Sequence, residues 1–196
     1  MIFEEKTLRS RYVYRGKLIN VREDVVTTRD GESVREIVEH AEGVVIAALK
    51  PNGNMIMERQ YRKPLERVVF ECPAGKVDPG EDPRDAALRE LAEETGYRPS
   101  EITFLTSSWP SAGFSKEVLH VFLCTGLTAG EQDLDENEAI DLEEHHIDDL
   151  YNMIMNGELE DAKSQIAILM VKAKIDRGDL KDYLSGSELS ENGHGY

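Results

Sequence analysis

The chain has 196 residues, 40% hydrophobic and 32% charged, a balance that suits one globular core with a small accessory lobe and excludes a fibre or a disordered chain. Its net charge of -16 is concentrated late: residues 1–44 carry -1, residues 45–130 carry -2 and residues 131–196 carry -13. Long nucleic acid is therefore not an expected partner, because its phosphates need clustered Lys and Arg, and the longest apolar run, Gly43 to Leu49, falls far short of the ~20 residues that cross a bilayer.

No membrane partner is expected either, and the opening Met1-Ile-Phe-Glu-Glu-Lys lacks a basic region followed by an apolar block, which points to a cytoplasmic setting. Two cysteines, Cys72 and Cys124, suit buried reduced thiols better than a disulfide framework or a metal knuckle.

From Thr7 to Glu39 the sequence predicts three short strands, Tyr12–Tyr14, Leu18–Val21 and Val25–Thr28, with turns at Arg15-Gly16-Lys17 and Asp30-Gly31-Glu32. Three antiparallel strands of this size are marginal alone and need a neighbour, which a second subunit could supply. Val44–Leu49 and Met55–Gln60 read as a hairpin around Pro51-Asn-Gly-Asn54. Further strands are predicted at Glu101–Ser107 and Val118–Cys124, separated by a loop through Trp109 and Phe114. Helical periodicity marks Ile147–Asn156 and Ala162–Ile175. The pattern predicts a layered α/β (α+β) fold, with an N-terminal antiparallel β region over residues 1–43, a main domain over 44–183 and a flexible Gly, Ser and Glu rich tail over 184–196.

One helix stands apart. Asp82 is a good N-cap, Pro83 fits the first helical position and Gly96 can adopt the left-handed conformation that ends a helix, so the helix is expected from Pro83 to Thr95. At 100° per residue, Ala87, Leu88, Leu91, Ala92 and Thr95 gather on one face, and Arg89, Glu90, Glu93 and Glu94 on the other. Glutamates three and four residues apart repel each other, and one arginine cannot neutralise three of them. A hard divalent cation such as Mg2+ can, since it prefers oxygen ligands and shares its coordination with substrate phosphates. Such an ion suits hydrolysis of a phosphoanhydride.

These residues carry a resemblance. Gly75, Glu81, Arg89, Glu90, Glu93, Glu94 and Gly96 stand at the spacing of the Nudix box, so the chain resembles the Nudix hydrolases; Tyr97 departs from the pattern, which usually has an aliphatic residue there. The resemblance implies the Nudix fold, a mixed β-sheet sandwiched between helices. It implies that Glu90, Glu93 and Glu94, with the carbonyl of Ala74, hold Mg2+ (Mn2+ substituting), that Glu81 supports them and that Arg89 orients them.

Gln60-Tyr-Arg62, Pro73-Ala-Gly75, Pro110-Ser-Ala-Gly-Phe114 and Asp161-Ala-Lys163, together with the N-terminal β region, look like the ADP-ribose pyrophosphatase branch, so the resemblance covers residues 10–175. That branch implies a homodimer with swapped N-terminal strands, phosphate or ribose contacts from Arg35 and Arg62, and a catalytic base from the acidic loop Asp135-Glu136-Asn137-Glu138, with Glu136 and Glu138 as candidates. The expected reaction is ADP-ribose to AMP and ribose 5-phosphate. Another nucleoside diphosphate sugar such as GDP-mannose, or a dinucleotide such as NADH, is the alternative substrate. A nucleotide-binding regulator without turnover is disfavoured, since every carboxylate of the box is present.

Overall fold

The structure, a computed structural model, describes residues 2–134, 136 and 138–185. The elements run β1 (Thr7–Arg15), β2 (Ile19–Thr28), β3 (Gly31–His40), β4 (Gly43–Leu49), β5 (Asn54–Arg62), β6 (Arg67–Glu71), β7 (Ala74–Lys76), α1 (Pro83–Thr95), β8 (Glu101–Ser108), β9 (Leu119–Thr125), β10 (Ile140–His146), α2 (Ile147–Met155), α3 (Ala162–Asp176) and α4 (Lys181–Ser185). Most of the tail expected over 184–196 lies outside the described residues; Leu184 and Ser185 close α4. Among the described residues no helix is long and apolar enough to cross a membrane.

β1, β2 and β3 form a separate antiparallel sheet in that order. The expected runs Leu18–Val21 and Val25–Thr28 fall largely in one strand, β2, because its pairing with β3 runs unbroken from Ile19 to Thr28. The third strand is β3, beyond the turn at Gly31. This sheet meets the rest of the chain through β3, where the Val38 N–H donates to the Phe114 carbonyl and the Lys116 N–H donates to that of Val38.

The second sheet is mixed, ordered β10-β5-β4-β9-β8, with β4 and β9 parallel and β6 and β7 paired to β5 and β4. Seven consecutive buried residues in β4 follow from its position, since a central strand covered on both faces has no polar side. Val45, Ala47 and Leu49 point into a cluster with Met55, Met57, Leu150, Leu159 and Ile168, under α2 and α3. Val44, Ile46 and Ala48 point the other way, to Ile56, Leu91 and Phe122 under α1. The result is a sheet between two helical layers, as expected. Cys72 and Cys124 are buried and free, and burial pushes both thiols up to about 12.

The expected β4–β5 hairpin is paired only at its base, at Ala48 with Ile56 and Leu49 with Met55. Beyond it the strands part: β4 turns to β7 and β5 turns to β6. A cleft opens where they separate. One buried hydroxyl holds its far wall, for Ser164 Oγ accepts from the Cys72 N–H at 2.7 Å and donates to Asp161 Oδ2 at 2.6 Å, the carboxylate that caps α3. Ser164→Ala leaves that buried N–H unpaired and should lower the unfolding free energy by about 1–3 kcal/mol. A urea denaturation curve identical to that of the parent protein would contradict this.

Candidate active site

Helix α1 is built as its ends predict. The Asp82 carboxylate accepts from the Arg84 N–H, Pro83 opens the helix, and Gly96 closes it at φ 74 with its N–H donating to Ala92. Gly96 is also obligatory for packing, since a Cβ there would lie 2.6 Å from the Gly130 carbonyl oxygen. Ala86, Ala87 and Leu91 anchor α1 to the sheet, which turns Arg89, Glu90, Glu93 and Glu94 towards β7 and the cleft. The clean separation of faces does not hold at Glu94: it is 4% exposed, because its angular position borders the apolar stripe.

Arg89 organises this face. Its Nε and Nη2 donate to the two Glu81 oxygens, each at 3.0 Å, its Nη1 reaches Glu90 at 2.9 Å and Glu93 at 3.0 Å, and its Nη2 also reaches the Lys76 carbonyl at 3.0 Å. Those carboxylates raise its already high pKa further. Hydrogen bonds from Arg89 and from the Asp78 backbone hold the Glu81 carboxyl below the usual range. Glu90 and Glu94 go the other way, chiefly through burial. Glu94 is raised strongly, with Glu58 and Glu90 adding repulsion, although its Oε2 accepts from the Ala74 N–H at 2.9 Å. A Cβ at Gly75 would lie 1.8 Å from Glu90 Cδ, so a larger residue there would push the Glu90 carboxylate out of this position.

The cleft holds about 720 Å³ and brings together Ala74, Gly75, Arg89, Glu90, Glu93, Glu94, Arg62 and Glu138. Arg62 lies in the wall with two hydrogen bonds to Glu71, at 2.7 and 3.0 Å, and Lys163 grips the same carboxylate from α3. Two expected residues are not brought there by the single chain. Arg35 stands on β3, paired with Glu5, and Glu136 is exposed outside the lining. Trp109 and Phe114 are exposed and also outside it. Sequence reasoning passed over Glu58, which is buried beside Glu94. The signal was present in β5, where Ile56, Glu58, Gln60 and Arg62 alternate with Met55 and Met57.

The donors that α1 and β7 present are carboxylates and a carbonyl, a set that fits a hard divalent cation. The chain accommodates them closely, with Gly75 giving Glu90 its room and the Ala74 N–H steadying Glu94. Among the described residues no three His, Cys, Asp or Glu side chains already converge as a closed cage, and Glu90 and Glu93 are instead held by Arg89.

The NUDIX domain model matches residues 39–167, and that of the nucleoside diphosphate sugar hydrolase N-terminal domain matches residues 5–38. An ADP-ribose pyrophosphatase of Bacillus subtilis (strain 168) is 41% identical over 174 residues, covering 87% of this chain and 94% of that one. A methanol dehydrogenase activator of Bacillus methanolicus is 40% identical over 170 residues, covering 85% and 92%. An ADP-ribose pyrophosphatase of Mycobacterium tuberculosis (strain ATCC 25618 / H37Rv) is 34% identical, covering 86% and 83%. The crystal structure of an ADP compounds hydrolase shares the fold at a TM-score of 0.80 and 22% identity, covering 93% of this chain and 97% of that one. Nudix hydrolases generally need a divalent metal, in keeping with the oxygen donors gathered here. By its domain match, and by relatives that it resembles along most of their length, the chain belongs to the Nudix hydrolase family.

Proposed function

We infer that the protein hydrolyses ADP-ribose to AMP and ribose 5-phosphate with Mg2+, for which Mn2+ can substitute. The observation that carries this reading is the assembly of Glu81, Glu90 and Glu93 on Arg89 beside Ala74, at the mouth of a cleft large enough for a nucleotide. Relatives named ADP-ribose pyrophosphatase that match most of this chain support the substrate.

Water attacks one phosphorus of the pyrophosphate, the bridging P–O bond breaks, and both products leave as phosphate monoesters. The Ala74 carbonyl, Glu90, Glu93 and Glu94 would hold the metal, whose chemistry is to polarise phosphoryl oxygens and lower the pKa of water. Arg89 fixes the directions of Glu90 and Glu93, and Glu81 in turn fixes Arg89. Glu138 takes the proton of the attacking water; it lines the cleft and adds repulsion to Glu90 and Glu94, which favours it over Glu136. Arg62 offers positive charge to the pyrophosphate from the cleft wall.

The working unit in this reading is a homodimer that exchanges the strands of residues 1–43. β1 is exposed along its whole length, and Leu8, Tyr12, Val13, Tyr14 and Val34 are exposed apolar residues on its sheet. In the dimer Arg35 would serve the substrate of the neighbouring subunit. Disrupting the patch with Tyr12→Glu and Val13→Asp should convert a dimer to monomer in sedimentation equilibrium. A parent protein that is already monomeric would remove the dimer from the account.

The alternative substrates are GDP-mannose, NADH and related compounds, and a GDP-mannose pyrophosphatase of Yersinia enterocolitica serotype O:8 is 27% identical over 144 residues. Comparing kcat/KM across ADP-ribose, GDP-mannose, NADH and dinucleoside polyphosphates decides between them, with ADP-ribose expected to lead. Glu93→Gln or Glu94→Gln should lower kcat about 100-fold or more with the fold intact, since metal stabilisation of the transition state is worth several kcal/mol and each ~1.4 kcal/mol is tenfold. Undiminished Mg2+-dependent turnover in these variants would sink the assignment. Glu138→Gln should cost roughly 10²- to 10⁴-fold in kcat, and Glu136→Gln far less; the reverse order would exchange their roles.

A further inference from the structure

Strand β5 turns Glu58 towards α1, on the same face as Ile56, Gln60 and Arg62. Glu58 is 1% exposed and its Oε1 has no hydrogen-bond partner among the described residues. The Gln60 Oε1, next on that face, is buried and unpartnered too. A carboxylate taken from water without a partner is costly, and an apolar side chain of similar volume would pack there at less expense. Ile56, one step earlier on the same face, is such a residue.

The nearby cations are already engaged. Arg62 and Lys163 are both bonded to Glu71, and Arg89 is shared among Glu81, Glu90 and Glu93. Glu58 instead lies close enough to Glu94 to repel its carboxylate, and the Glu94 Oε2 is steadied by the Ala74 N–H. Two buried carboxylates thus lie close together beside the Ala74 segment of β7. Burial pushes both carboxyls up, Glu71 adding to the effect at Glu58. Arg62 and Lys163 attract Glu58 only while shared with Glu71; a divalent cation would add the further positive charge and give the free oxygens of Glu58 and Gln60 an electropositive neighbour.

We propose that Glu58 is a ligand of the divalent cation, a carboxylate supplied by β5 to a site whose other carboxylates come from α1. The inference rests on the metal reading above and extends it to a residue outside the sequence box. It separates two roles that look alike in the fold: a ligand needs the negative charge of Glu58, whereas a neutral spacer that only hydrogen-bonds to Glu94 is served equally well by Gln.

The test is Mn2+ binding to the full chain without substrate, by isothermal titration and by electron paramagnetic resonance of the free ion, for the parent protein, Glu58→Gln, Glu58→Met and Glu94→Gln. Circular dichroism melting checks that each is folded. Glu58→Gln should weaken Mn2+ binding by more than about 100-fold, beyond the roughly 10- to 100-fold that loss of a residue merely supporting a ligand costs, as should Glu58→Met, which keeps the volume of the side chain and removes its oxygens. A loss below about 100-fold in either folded Glu58 variant, with a loss in Glu94→Gln, overturns the inference and leaves the metal reading standing. No loss in any variant overturns both.

Discussion

Like charges do not gather on a helix without something to hold them, and here the holder is one guanidinium. Arg89 bonds to three carboxylates and the Lys76 carbonyl, and the rest of the site is arranged around that contact. Gly75 exists to let β7 pass against Glu90. The loop before α1 is bent so that the Asp78 N–H and Arg89 meet the same Glu81 carboxylate. Arg89 nevertheless leaves Glu94 uncompensated, and it is there that burial drives the carboxyl furthest from its ordinary behaviour. A group of oxygen donors built this way is strained in charge, and a cation bound there would relieve that strain.

The sheet supplies the geometry. Because β4 is buried on both faces it can carry α1 on one side and α2 with α3 on the other. Because β4 and β5 part after two paired positions, the space between them is walled by β7, Gln60, Arg62 and Lys163 instead of being closed by main-chain hydrogen bonds. The cleft is therefore a consequence of sheet topology, and the acidic helix is set at its edge by apolar anchors at Ala86, Ala87 and Leu91.

Much of this was legible in advance. The limits of α1 were carried by Asp82, Pro83 and Gly96, residues whose preference for helix ends is local and strong. β4 was readable from its apolar run. β6 and β7 were not, being only five and three residues long with no full period to detect. β10 was hidden because Asp141, Glu143, Glu144, His145 and His146 make a strand look like part of an acidic loop, although Glu143 and Glu144 are paired with Arg59 and Lys50 across the sheet. In the site, the box residues were fixed by their spacing, whereas Glu136 and Glu138 could be separated only by the cleft wall. Glu58 was passed over because a lone acid in a strand ordinarily reads as solvent-facing, although the alternation of β5 put it on the face of Ile56. Arg35 stands on β3 paired with Glu5, away from the cleft, so its expected contact with substrate would need a second subunit.

The central claim is that the carboxylates around Arg89 act through a divalent cation on a nucleotide pyrophosphate. The most direct test follows ADP-ribose by phosphorus NMR, first with the protein in excess EDTA and then after Mg2+ is added beyond the chelator. The account predicts no change in the first stage and, in the second, replacement of the pyrophosphate signals by those of AMP and ribose 5-phosphate alone. Equal turnover in EDTA, or an intact pyrophosphate after Mg2+, would contradict it.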